Sequence, residues 1–369
     1  MICRTIHHAD WEEIQVTARS DDRDPETALE ALMRAVSALH RAGADLLHAN
    51  VFGAVAPDGS PLIRPRGIPV TFVEGMPCRC TEASDTAADR LVTGVQATGA
   101  RGAAVTAYDT DDGVSVMVVE DENARWAYVT GVHPSNLWAT QHDQARDAFD
   151  RADAALNLAG MSFQHVIRTW VFVQDILDWY DDLNRARTAF YREHGVFNGI
   201  VPASTGVGAL NPLGAAVALN LIALVPKTDL VRVECISSPL QCSAEDYGSS
   251  FSRALEVTEP GVRRLIVSGT ASIASNGETL HVGDLDAQIA RTMEVVEAIL
   301  ESRGMGWQDV TRAVAYFKYC LDAPAFEAYR IRTGLPAFPL LVTECTICRA
   351  DLLYEIEVDA ATPVVEPPV

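Results

Sequence analysis

Apolar positions recur at helical spacing in three stretches of the chain, and each stretch then passes through a glycine into a β-rich run. The first is "ALEALMRAVSALHRAGADLLHANVFGAV" from Ala28, the second "ARDAFDRADAALNLAGMSFQHVIRTWVFVQDI" from Ala145, and the third "ARTMEVVEAILESRGMGWQDVTRAVAYFKYCL" from Ala290. Leu29, Leu32, Val36 and Leu39 in the first, and Met293, Val296, Ile299 and Leu300 in the third, fall on one helical face. One apolar stripe per helix predicts one sheet for each helix to cover. Gly43, Gly160 and Gly304 stand where a helix ending in a left-handed residue needs glycine.

Matching strands precede the second and third helices, "RWAYVTGVHP" at 125–134 and "RRLIVSGTASIA" at 263–274. Further helices and strands follow: "WYDDLNRARTAFY" then "VALNLIALV", and "FEAYRIRTG" then a run ending in "EIEV". The repeated order is strand, helix, strand, second helix, strand. Self-similarity of this kind predicts an α+β fold of three tandem units, each a mixed sheet with helices on one face. The expected spans are 1–120, 121–228 and 229–360, with 361–369 a Pro-rich flexible tail. "TEASDTAADR" and "YDTDDGVS" read as loops in or near the end of the first unit.

Composition narrows the function. The 369 residues are 48% hydrophobic and carry a net charge of −21, without runs of Lys or Arg. That argues against a nucleic-acid partner, because phosphate recognition needs clustered cations. A small anionic substrate held by a few local arginines stays open. The stretch "MICRTIHHADWEEIQ" has no apolar core of a signal peptide, and no run of about 18 apolar residues could cross a bilayer. A cytoplasmic protein with its eight cysteines reduced, and no membrane partner, is expected. Cys345 and Cys348 are spaced C-x-x-C, and Cys78 and Cys80 C-x-C. In an extended segment residues three apart face opposite ways, so buried packing is the preferred reading and no metal is expected.

Candidate chemistry concentrates at "CRADLLYEIE", 348–357, which sets Glu355 and Glu357 on one face of a predicted strand beside apolar Leu352, Leu353 and Ile356. Cys348 differs from Glu355 by an odd number and faces away unless a bulge or a non-strand start intervenes. Arg168 opens an apolar run and either caps a core edge or faces a cleft, while Arg253 follows Tyr247 in a Ser-rich loop. "PASTGVGALNPLG", with Ser204 and Thr205, offers backbone N–H groups for an anion or a plain turn. It carries no nucleotide fingerprint, so no cofactor is expected. Trp170, Trp179, Tyr180 and Phe190 read as core and inter-unit packing.

"RTWVFVQDILDWYDDLNRARTAFY" with "VPAST", and "YEIEV" in the third unit, resemble the Rid (YjgF) superfamily. That family forms trimers with active sites between subunits, which implies an intrachain pseudo-trimer here, monomeric or further associated. Through "RTW" at 168–170, "PASTGVGA" at 202–209, "YGSSFSRA" at 247–254 and "CRADLLYEIE", the chain is most similar to the superfamily's chorismatase arm. The resemblance implies cleavage of an enolpyruvyl ether without a cofactor, with Glu355 as acid and Arg168 and Arg253 as carboxylate clamps. It also implies that Tyr247 and Thr205 contact substrate, and that Gly269 with Cys348 marks the hydroxybenzoate-forming type. Two positions depart from the patterns. The segment after Gly248 reads Ser249, Ser250 where chorismatases carry an Arg, and Ile347 stands where Rid imine deaminases carry theirs. A Rid-type imine or enamine hydrolase and a non-catalytic small-molecule binder are the alternatives.

Overall fold

The computed structural model describes residues 1–19, 28–53, 69–73, 93–110, 112–244 and 248–364. The first sheet holds β1 (Ile2–His7), β2 (Glu12–Arg19), β3 (Asp45–Phe52), β4 (Val70–Val73) and β5 (Gly94–Arg101), with helix α1 (Ala28–Arg41) between β2 and β3. Its order is β1-β2-β5-β3-β4. The second holds β6 (Val105–Asp109), β7 (Ser115–Glu120), β8 (Ala124–Val132), β9 (Val166–Val173), β10 (Ala203–Gly208) and β11 (Val217–Pro226), with α2 (Gln141–Leu158) and α3 (Ile176–Glu193). The third holds β12 (Arg232–Ile236), β13 (Ala254–Glu259), β14 (Val262–Ala271), β15 (Val310–Phe317), β16 (Leu340–Glu344) and β17 (Tyr354–Pro363), with α4 (Leu285–Ser302) and α5 (Pro324–Thr333).

The orders β10-β9-β11-β8-β7-β6 and β16-β15-β17-β14-β13-β12 are the same, and the first sheet is a five-stranded version of them. In each, the last strand of the unit inserts antiparallel into the middle, and a parallel pair forms one edge: β3 with β4, β9 with β10, β15 with β16. The parallel edge strands of the second and third units lie between second helix and final strand, an element the expected order lacked. "YDTDDGVS" also departs from its reading as loop, because β6 and β7 form a hairpin through it that extends the second sheet. Alternation in β7, with Val116 and Val118 buried in the α2 core, makes that hairpin part of the second unit's packing. "TEASDTAADR", Cys78 and Cys80 lie outside the described residues, as does the tail beyond 364.

The three glycines after the helices have φ of 70° (Gly43), 68° (Gly160) and 67° (Gly304), the left-handed conformation for which a side chain would be strained. The α4 stripe is as expected, with Met293, Val296, Ile299 and Leu300 buried. In α1 the stripe is rotated: Ala28, Ala31, Leu32, Ala35 and Leu39 are buried, and Leu29 is 42% exposed. The small alanines let the helix approach its sheet closely, so the leucine one position on turns to solvent.

Each sheet uses its two faces differently. The outer faces are covered by the unit's own helices in three separate cores. The inner faces meet in one shared core built from all three units, including Trp11, Phe52, Trp126, Trp170, Tyr316 and Leu341. The contacts run cyclically: β4 lies beside β8, β10 beside β14, and β16 beside β2 and β5. The fold is therefore an α+β pseudo-trimer within one chain. Among the described residues no helix is long and apolar enough to cross a membrane.

Candidate active site

The ladders align the units residue by residue. A bulge at the start of β3, β9 and β15 leaves His48, Arg168 and Arg312 at matching places, all buried. Two ladder steps further, the central strands place Gln96, Asn220 and Glu357 at one position, and Gly94, Ala218 and Glu355 at the next inward-facing one. Each unit thus offers the same frame at its boundary with a neighbour. The third unit alone fills both inward positions of its central strand with carboxylates.

Glu357 lies at the centre. It accepts from Arg168 Nη2 at 2.6 Å and Trp170 Nε1 at 2.9 Å, and pairs with Arg312, which also bonds Asp359 at 3.1 Å. Burial alone would raise its carboxyl, but Arg168 and Arg312 outweigh that and hold it at about 2. Arg168 was expected to clamp a substrate carboxylate. Its side chain is instead fully buried beneath the cleft, spent on Glu357, Thr205 Oγ1 at 3.0 Å and the Val267 carbonyl at 3.0 Å. Thr205 likewise faces inward, since alternation along β10 turns it toward Arg168 and lets it accept from Gly269 N at 3.1 Å. Neither side chain is on the cleft wall.

The cleft opens between α3, the exposed side of β10 and the third unit, with a volume of about 620 Å3. From β10 come Ser204 and Gly206, and from α3 come Trp179, Tyr180 and Arg187. The third unit supplies Arg253, Gly269, Cys348 and Glu355. Four of the expected site residues are thereby brought together; Tyr247 lies outside the described residues. In the other two parallel edge strands, the places of Ser204 and Gly206 are taken by Val70 and Phe72 and by Leu340 and Val342. Those larger side chains are buried in their own units' cores. At the third-to-first boundary, a Cβ on Gly94 would collide with Leu341.

Glu355 is 5% exposed, and burial, reinforced by the Glu357 charge, pushes its carboxyl up to about 8 against the opposing effect of Arg168 and Arg253. It is a protonated acid at neutral pH. Gly269 sits in a bulge of β14, where Val267 and Thr270 pair on either side of Glu357 and two residues stand opposite one. A Cβ at Gly269 would overlap the Glu355 carboxyl, so glycine is what lets that group lie against the strand. Arg253 is 6% exposed, bonds the Cys242 carbonyl through Nε at 3.0 Å and lies 5.5 Å from the Phe251 ring. Cys348 does not belong to the strand: it lies in a bend before β17, which starts only at Tyr354. That bend removes the odd-spacing conflict and puts Cys348 and Glu355 on one cleft. Burial and the neighbouring Glu355 push the Cys348 thiol up to about 12, so it stays a neutral S–H.

Several wall residues escaped sequence reading. Trp179 and Tyr180, expected only to pack, also line the cleft, at the place where α3 leaves helical geometry (Trp179 φ −147°). Arg187 stands eight residues beyond Trp179 and four beyond Leu183, and that place on an apolar stripe was the available signal. Among the described residues no group of three His, Cys, Asp or Glu side chains converges to hold a metal ion.

Residues 116–225 match the family model described as Endoribonuclease L-PSP. A 3-hydroxybenzoate synthase of Streptomyces hygroscopicus is 27% identical over 227 residues, 54% of this chain and 64% of that protein. A chorismatase of Streptomyces rapamycinicus is 28% identical over 222 residues, 53% of this chain and 64% of that one. The matches thus span less than two thirds of either relative's length. A crystal structure of a chorismatase superposes with a TM-score of 0.62 at 19% identity, covering 85% of this chain and 92% of the other, which extends the likeness of fold over all three units. The likeness to the Endoribonuclease L-PSP family thus lies in residues 116–225, within a chain that shares the chorismatase fold.

Proposed function

We propose that this cleft cleaves the enolpyruvyl ether of chorismate or a closely related cyclic acid, releasing pyruvate and a hydroxybenzoate-type product, with Glu355 as general acid. The observation that carries the reading is a carboxylic acid held protonated at neutral pH on the wall of a cleft large enough for a ring-bearing acid. Cleaving an enol ether requires a proton on carbon. Glu355 delivers it to the methylene carbon, and the resulting oxocarbenium carbon takes up water as the acid is left ionised. Collapse of that hemiketal breaks the ether C–O bond and gives pyruvate and a dihydroxycyclohexadiene acid. Loss of one water from the ring product yields the hydroxybenzoate, so the aromatising route consumes no water overall.

Other residues of the cleft support these steps. Arg253 offers a guanidinium to a substrate carboxylate. Gly269 leaves the acid room to approach, and the neutral Cys348 thiol adds a small polar wall group that does not compete as an anion. Burial, reinforced by the negative charge of Glu357, keeps the proton on Glu355, while Arg168 and Arg312 neutralise Glu357 toward the core. The proposal takes support from the named relatives, a 3-hydroxybenzoate synthase and a chorismatase.

Purified protein incubated with chorismate is expected to release pyruvate, measured with a coupled lactate dehydrogenase assay, and Glu355→Gln to release under about 1% of it, since a positioned acid contributes roughly 10²–10⁴-fold. Wild-type protein that forms no pyruvate, or a variant that forms it at the same rate, overturns the reading. The dependence on pH follows from the same group: kcat/KM is expected to be flat toward neutrality and to fall about tenfold per unit above pH 8, where Glu355 ionises.

A further inference from the structure

Five buried arginines lie at or near the second unit's boundaries; Arg253 bonds the Cys242 carbonyl, and three of the others meet a carboxylate. Arg168 and Arg312 pair with Glu357, and Arg264 pairs with Glu13 at 2.9 Å. Arg187 differs. It is only 3% exposed, its Nη2 donates to the neutral Asn184 side chain at 2.6 Å, and its Nε is buried with no hydrogen-bond partner among the described residues. A guanidinium stays charged at any pH the protein meets, and taking such a charge out of water without a counter-charge is strongly unfavourable. Asp182, on the same helix, is already engaged by Arg185. Arg187 nonetheless lines the cleft that holds Glu355 and Arg253. A cationic group held in place, under-bonded and facing a cavity is a receptor for an anion.

We infer that Arg187 receives a carboxylate of the substrate, fixing it against the α3 wall of the cleft, so that the ligand class is a carboxylic acid anchored there as well as at Arg253. The inference rests on the proposed use of this cleft as a substrate site and adds the anchoring residue and the charge it reads. The planar fork of the guanidinium suits two parallel hydrogen bonds to a carboxylate. Asn184 accepts from Nη2 and holds the group in place. A dicarboxylate would then span Arg187 and Arg253 while the neutral Glu355 adds no repulsion.

The test uses inert ligands, so it does not depend on turnover. Isothermal titration of the full chain with 3-(carboxymethoxy)benzoate, its two monoamides and its diamide reads which carboxylate Arg187 takes. Arg187→Gln is expected to weaken the dianion and one monoamide about 30-fold, and to leave the other monoamide unchanged; Arg187→Lys is expected to recover part of the loss. Without ligand, Arg187→Gln is expected to keep or raise the melting temperature, because it removes an uncompensated buried charge, whereas a merely structural arginine would lower it. Equal weakening of all four ligands, a wild type that binds the dianion no better than the diamide, or a lowered melting temperature with unchanged affinities overturns the inference. A carboxylate-specific loss in a protein that makes no pyruvate from chorismate keeps it and removes the enzymatic reading alone.

Discussion

Glu355 and Glu357 stand two residues apart on one strand, yet one is pushed up to about 8 and the other held at about 2. Burial raises both, and their neighbours make the difference: two arginines in contact outweigh it at Glu357, whereas at Glu355 the Glu357 charge reinforces it. The pair therefore acts on stability in opposite senses. Between its ordinary 4.5 and about 8, folded Glu355 keeps a proton that the unfolded chain gives up, so its contribution is fully present below 4.5 and is lost as pH rises through 8. Glu355→Gln is expected to gain on the wild type by up to about 1.4 kcal/mol per pH unit in that window, read as the difference in urea unfolding at pH 5 and pH 8. Glu357 runs the other way, with its contribution present above 4.5 and lost as pH falls toward 2. Glu357→Gln leaves Arg168 buried without a carboxylate and is expected to cost about 3–5 kcal/mol at neutral pH, measured by the same unfolding curves. That the two carboxylates share a strand was legible from their spacing. Which of them would be the acid had to be taken from the resemblance, because the decisive partner, Arg168, is 189 positions away from Glu357 and no local pattern joins them.

At the level of elements, the cleft that holds Glu355 depends on one edge strand. Gly206 has open space where its Cβ would stand, while the matching place in β4 is Phe72 and in β16 is Val342. Gly206→Leu is therefore expected to close the cleft and abolish ligand binding while leaving the melting temperature within a few degrees of the wild type, as circular dichroism would report. A fall in stability alongside lost binding would instead mark the strand as too tightly packed to accept a side chain. The helices and their closing glycines could be read from the sequence because a 3.6-residue stripe and a left-handed cap are local. The parallel edge strands and the β6–β7 hairpin could not. "ASTGV" is short and rich in small residues, and "YDTDDGVS" hides two strand ends around a polar turn, so neither shows the apolar alternation that marks a half-buried strand.

For the molecule as a whole, three boundaries of one design yield one furnished site. Among the described residues, only the boundary of the second and third units combines small residues on the edge strand with a carboxylate at the Glu355 position; Ala218 and Gly94 hold that position elsewhere. Titration of 3-(carboxymethoxy)benzoate into the full chain is expected to saturate at about one equivalent per chain, and a value near three would show that the other boundaries open as well. The three tandem units were visible in the repeat and their closure into a pseudo-trimer was implied by the resemblance; the second unit's final strand, VALNLIA, already lacked the Glu pair, but which small residues face the third unit's carboxylates becomes apparent when the ladders are aligned.

Joining the three units into one chain has a consequence for the charge buried around the axis. In an assembly of identical subunits, any ionised side chain placed near the three-fold axis is repeated three times, and three like charges buried within a few ångströms repel in a medium that screens them poorly. Here one set of equivalent places carries Arg168, Arg312 and a histidine that burial and Arg312 keep neutral, while the set facing it carries Glu357, Asn220 and Gln96. Covalent linkage lets each copy take a different member of the set, so cations, anions and neutral amides share a centre that strict symmetry would have forced to be uniform.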